Sequence, residues 1–273
     1  MNPFVEGFKG IFEYSGFLSF TWQNGVMLIV GLILIILAWK FKFEPLLLIP
    51  IAFGCILVNF PVPTQLASTY IGDPAFGFLG ILYTALTKTE ILPIIMFLCL
   101  GALTDFGPLL ERPITFLLGA AAQFGVFVAL LLAIKFGFNV KEAAAIGIIG
   151  GADGPTAIFI AQKMAPQLLG AIAVSAYSYM SLVPMILPPV IRCLTTREER
   201  LTRMEQVKPV SKTTKIIFPL VVAFVSGIIL PSAVALIGMM MAGNFIRESG
   251  LVERLSKTIQ NELVNITTIF LGF

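Results

Sequence analysis

The sequence predicts an all-α polytopic membrane protein built on broken or re-entrant helices. Of its 273 residues, 58% are hydrophobic and only 12% are charged, whereas a soluble domain carries roughly 25% charged residues. Charges gather between long apolar stretches and the mean hydropathy is +0.96, the pattern of repeated membrane spans. One apolar stretch is interrupted by Gly150-Gly151-Ala152-Asp153-Gly154-Pro155, a run that a straight spanning helix does not carry.

The elements follow in chain order. Phe4, Phe8, Ile11 and Phe12 fall on one helical stripe, so residues 1–24 read as an interfacial segment lying on the membrane. Glu6 and Glu13 break any signal-peptide core, and Trp22 stands at the expected lipid–water boundary. Gly25–Trp39 is the first predicted span, closed by Lys40 and Lys42, and Pro45–Val58 is the second. Asn59–Gly80 is a Pro- and Gly-rich connector with a turn at Asp73-Pro74, followed by a short surface helix over Ile81–Leu86. Ile91–Leu103 is a short third span, Thr104–Pro113 a polar link, and Ile114–Phe138 a fourth span. Ala143–Ile149 and Thr156–Ala161 flank the interruption, and Leu168–Ile191 is a long span. Ile216–Leu230 and the shorter Ala233–Ala242 follow a basic loop over residues 192–215. Arg247–Glu262 is polar, and Leu263–Phe273 is apolar again. About eleven residues rise only ~16 Å, half of a ~30 Å hydrocarbon core, so the sequence reads as incomplete at its C-terminus.

Charge sets the topology. Lys40, Lys42 and the basic loop belong in the cytoplasm. If the interrupted segment crossed the membrane, an odd number of crossings would put the loop outside. Parity therefore favours a re-entrant hairpin entering from the outer face. The loop also carries Glu198, Glu199 and Glu205 and has no aromatic residue, which fits cytoplasmic retention and not nucleic-acid binding. The absence of histidine excludes imidazole acid–base chemistry, and Cys55, Cys99 and Cys193 have no metal-site spacing. No transition metal is expected.

The interruption is the strongest site signal. Glycines allow close backbone approach, Pro155 favours a new helix start, and unwound backbone in a membrane lines a protein-enclosed or wet cavity. Broken helices hold ions through freed carbonyls and a carboxylate. Asp153 supplies the carboxylate, Gly150 and Gly151 the backbone, and Thr156 a hydroxyl oxygen, a hard-oxygen set suited to an alkali cation. The plainer reading makes Asp153 the N-cap of the following helix, and the two readings coexist. Ser175, Tyr177, Ser178 and Tyr179 form a polar patch in the long span. Tyr177 and Tyr179 point to different faces, so that one reaches a site while the other packs, and Ser178 joins the expected cation ligands. Asp105 reads as a surface turn or cap with Arg112 as a partner. Asn244, Arg247 and Glu248 line a second polar site or mark a helix end.

Several motifs resemble one family. They are Gly150–Ile158, Leu168-Leu169-Gly170 with Ala171–Pro184, Phe43–Leu48, Thr104–Leu110, Arg247–Gly250 and Val252–Ser256. Together they resemble the β subunit of sodium-translocating, biotin-dependent carboxylic acid decarboxylases, which act on oxaloacetate, methylmalonyl-CoA or glutaconyl-CoA. The resemblance extends over essentially the whole chain. It implies that residues 25–273 form the transmembrane β-subunit domain, the first part of a repeat-built, transporter-like fold in a bacterial inner membrane.

The implied work is decarboxylation of carboxybiotin coupled to outward Na+ transport with consumption of a proton. The biotin is carried by a partner subunit and is not bound covalently here. Implied partners are a biotinylated carboxyltransferase α subunit, a small membrane γ/δ subunit and the lipid bilayer. The resemblance makes Asp153 the Na+- and proton-coupling carboxylate and Tyr179 its functional partner. Two other readings remain at this point: a secondary transporter of small organic anions, and a membrane anchor that moves no ion.

Overall fold

The computed structural model describes residues 10–11, 13–42, 45–63, 66, 70–202 and 210–273. Among these residues every regular element is helical. Three helices, Trp22–Phe41, Pro113–Lys135 and Lys212–Ile229, are each long and apolar enough to cross a membrane. The chain is a multi-pass membrane protein. Most of the stripe expected at Phe4, Phe8 and Phe12, and residues 203–209 of the basic loop, lie outside the described residues. The fold separates into two compact units, Met1–Ile91 with Thr268–Phe273, and Leu92–Thr267.

In the first unit, Thr21 caps α1 (Trp22–Phe41) through a capping box with Asn24. Asn24 Nδ2 donates to Asn59 O at 3.0 Å, so the start of α1 meets the end of α2 (Pro45–Val58) and the pair is antiparallel. Trp22 and Trp39 are 73% and 83% exposed. They stand ~26 Å apart along α1, as anchors at two membrane surfaces would. Asp73 closes the expected turn, its Oδ1 accepting from Ala75 N and Phe76 N at 2.8 Å each. The predicted surface helix appears as α3 (Phe78–Leu82) and a π turn over Tyr83–Thr87.

The second unit begins with α4 (Ile91–Leu103), α5 (Gly107–Glu111) and α6 (Phe116–Lys135). It continues through α7 (Val140–Ile148), α8 (Gly154–Met164), α9 (Leu169–Leu194) and α10 (Arg197–Leu201). After the basic loop come α11 (Lys212–Ile229), α12 (Val234–Ser249), α13 (Glu253–Thr258) and α14 (Val264–Gly272), of which the residues from Thr268 on belong to the first unit. A π turn over Ile259–Leu263 joins α13 to α14. The helical run is therefore continuous from Glu253 to Gly272, not the isolated apolar stub expected from Leu263. Its polar half has an inward seam, with Ser256 and Ile259 buried.

The interrupted segment folds back on itself. Asn139 caps α7, its Oδ1 accepting from Glu142 N at 2.9 Å while Glu142 Oε2 accepts from Asn139 N at 3.1 Å. A 3-10 turn over Ile149–Gly151 and Ala152, at φ 58°, reverse the chain into α8. Gln167 Nε2 then donates to Glu142 Oε1 at 2.9 Å, tying the two feet of the hairpin together. The legs are 9 and 11 residues long and rise ~13 and ~16 Å, each about half of a ~30 Å core. The tip meets the middle of α6, where a Cβ added to Gly125 would lie 2.5 Å from the Gly150 oxygen.

Two contacts order the membrane faces. Lys215 Nζ lies 3.3 Å from Asp105 Oδ1 and 3.9 Å from Glu248 Oε2. This gathers the C-terminal ends of α4 and α12 and the N-terminal end of α11 on one face. α6 leaves that face through the short α5 link and ends at Lys135, beside the hairpin feet. The hairpin thus enters from the face opposite Lys215.

Candidate functional site

Asp153 sits at the tip of the hairpin, in extended backbone that stops one helix and starts the next. Its Oδ1 accepts from Thr156 N at 3.3 Å, so it caps α8. Its Oδ2 accepts from the Thr156 hydroxyl at 2.5 Å. With its O–H directed at Asp153, Thr156 Oγ1 turns its lone pairs away from the carboxylate, as a cation ligand must. Gly154 and Pro155 are buried while Asp153 is part-buried, so the carboxylate has a lined approach. The Gly150 oxygen, expected beside Asp153, faces Gly125 on α6. Gly151 completes the turn, and its Cβ position meets only Val126 Cγ2, at 3.1 Å.

α9 packs against α8 and the 3-10 turn and brings its tyrosines to the tip. Tyr177 is 2% exposed. The hydroxyls of Tyr177 and Tyr179 are both buried and neither has a hydrogen-bond partner. Both lie within electrostatic reach of Asp153. The two-residue spacing drew attention to the pair in the sequence, and Tyr177 is the more deeply buried of the two. Ser178 is half-buried between them, and Ser175 is exposed.

The secondary candidates come together as an interlock on the Lys215 face. Asn244 is 1% exposed, and its Nδ2 donates to Gly101 O at 3.2 Å and to Thr104 O at 2.9 Å. Arg247 donates to Leu103 O at 2.8 Å. These carbonyls end α4 and have no helical partner of their own, so α12 caps α4. Backbone contact at Gly101 against Met240 and at Gly243 against Leu98 brings the two helices close enough for this. Asp105 forms the expected turn, its Oδ1 accepting from Gly107 N at 2.9 Å. Its cationic neighbour is Lys215 and not the nearby Arg112, because α11 presents its first turn to this link. The Gly107 amide above all, then Lys215 and Arg247, hold the Asp105 carboxyl below the usual aspartate range. Its contribution to stability is present above about pH 4 and is lost only as pH falls through that lowered value.

The comparisons agree with this arrangement. The family model described as the Na+-transporting oxaloacetate decarboxylase beta subunit matches residues 23–273. The glutaconyl-CoA decarboxylase subunit beta of Acidaminococcus fermentans is 54% identical over 272 residues, 100% of this chain and 70% of the relative. The methylmalonyl-CoA decarboxylase subunit beta of Veillonella parvula is 52% identical over the same 272 residues, again 100% of this chain and 70% of the relative. The oxaloacetate decarboxylase beta chain of Klebsiella pneumoniae is 44% identical, with 98% of this chain and 74% of the relative covered. A match across nearly the whole sequence, including the Asp153 hairpin, the α9 tyrosines and the α12 interlock, means that the chain belongs to the family of Na+-transporting oxaloacetate decarboxylase beta subunits.

Proposed function

We propose that this chain is the membrane subunit of a Na+ pump that couples decarboxylation of carboxybiotin to outward Na+ transport and consumes a proton. The observation that carries the reading is Asp153, a carboxylate at the tip of a half-membrane hairpin, next to a hydroxyl whose O–H is already engaged by that carboxylate. A charged group at this depth is costly unless it is paired or used. Na+ is held by Asp153, Thr156, the Gly150–Gly151 backbone and Ser178, with the Gly150 oxygen serving mainly the crossing with α6.

Tyr179 helps Asp153 exchange Na+ for a proton, because a phenol hydroxyl both donates to a carboxylate and ligates a cation. The biotin that carries CO2 belongs to a carboxyltransferase α subunit, and a small γ/δ subunit completes the membrane part. Residues 192–215 form the cytoplasmic loop of the transmembrane domain, next to the Asp105–Lys215–Glu248 interlock.

The test is Asp153→Asn in the intact complex, reconstituted in proteoliposomes. Na+ uptake driven by decarboxylation is expected to vanish while the complex still assembles. Undiminished coupled uptake would rule out the role of Asp153 and leave an anchor that moves no ion.

A further inference from the structure

The helical run from Glu253 to Gly272 carries a hydrophilic face that the proposed site does not use. Thr258, Asn261, Glu262 and Asn265 are all exposed along one side, and Ile266, Ile269 and Phe270 continue the same side as apolar groups. The opposite side is closed: Ile259 packs with Cys99 and Ala102, and Ile95, Leu98, Leu263 and Val264 complete that cluster. Ile259 lies level with Cys99 and Ala102, near the C-terminal end of α4 on the Lys215 face. Glu262 and Asn265 follow Ile259 along the run by ~5 and ~9 Å and so lie deeper from that face.

Nothing in the fold neutralises Glu262, which has no ion pair among the described residues, whereas Glu253 pairs with Lys257 at 2.7 Å. The side chains around it are already turned to the helix itself. Asn261 Nδ2 donates to Lys257 O at 2.8 Å and the Thr258 hydroxyl donates to Arg254 O at 3.1 Å. A carboxylate facing hydrocarbon at this depth is not tolerated, and one facing water is.

We propose that this face lines a water-filled path from the Lys215 face to mid-membrane, with Glu262 attracting monovalent cations into it. The path ends where the polar side chains do, at Asn265. The inference rests on the Na+-transporting reading above.

The test uses the intact complex with Cys55→Ala, Cys99→Ala and Cys193→Ser, and single cysteines at positions 258, 262, 265 and 269. A membrane-impermeant maleimide should modify Thr258→Cys, Glu262→Cys and Asn265→Cys from the cytoplasmic side about tenfold faster than Ile269→Cys, because only hydrated thiols form the reactive thiolate. Rates at 262 and 265 as slow as at 269 would overturn the path and indicate a covering helix. In parallel, Glu262→Gln should raise the Na+ concentration for half-maximal turnover about three- to tenfold, with turnover at saturating Na+ little changed. An unchanged half-saturation would overturn the cation role. Asp153→Asn separates the two levels: retained coupling there sinks the ion-site reading, while silence of Glu262→Gln alone sinks only the cation role of this face.

Discussion

Tyr177 holds a polar atom where the fold gives it no partner, and this shapes what its removal should do. A buried, unpaired hydroxyl carries a desolvation cost of ~1–3 kcal/mol. Tyr177→Phe is therefore expected to stabilise the subunit in detergent by about 1 kcal/mol and yet to lower coupled Na+ transport by about tenfold, the equivalent of ~1.4 kcal/mol. Thermal unfolding and proteoliposome uptake measure the two effects. A gain in stability with unchanged transport would make Tyr177 a packing residue only. Asp153 and Thr156 were legible in the sequence, because a glycine-rich break with a carboxylate in an apolar run is rare and its cost is known. The Asp105–Lys215 contact was not. The two residues are 110 positions apart, and only the folded helix ends bring them together.

At the scale of elements, the hairpin depends on a crossing without side chains. A Cβ on Gly125 would press on the Gly150 oxygen at 2.5 Å, whereas one on Gly119 of the same helix would meet nothing within 4 Å. Gly125→Ala is expected to cost about 1–3 kcal/mol, the usual range for overpacking. Gly119→Ala should be neutral or stabilise α6 by up to about 1 kcal/mol. Denaturation of the purified complex compares them, and equal effects would show that the crossing is loose. The legs of the hairpin could be read from Pro155, the glycines and the parity of charged loops. The crossing point could not, since Gly125 lies in an apolar run where any small residue looks alike. The helical run from Glu253 was misjudged for a related reason: its polar half looked like a loop because its buried seam is narrow, only Ser256 and Ile259 turning fully inward there.

For the whole molecule, the sidedness of the chain joins charge to geometry. Cysteines at Lys141 and Lys163, the two feet of the hairpin, should be labelled from the same side of sealed vesicles. A cysteine at Lys212 should be labelled from the other. Labelling of Lys141→Cys and Lys163→Cys from opposite sides would turn the hairpin into a crossing and reverse everything downstream. The class of fold was legible throughout, because the cost of exposed backbone in lipid leaves helices as the simplest solution. The tie between Glu142 and Gln167 also bears on how the protein is made. Neither leg is long enough to be recognised as a span when it leaves the ribosome, and its polar tip resists entry into lipid. The hairpin can settle only after α6 and α9 are both in the bilayer to flank it, so the proposed ion site is assembled late in biogenesis. Variants that loosen the feet should then be lost to membrane quality control before any defect in pumping can be seen.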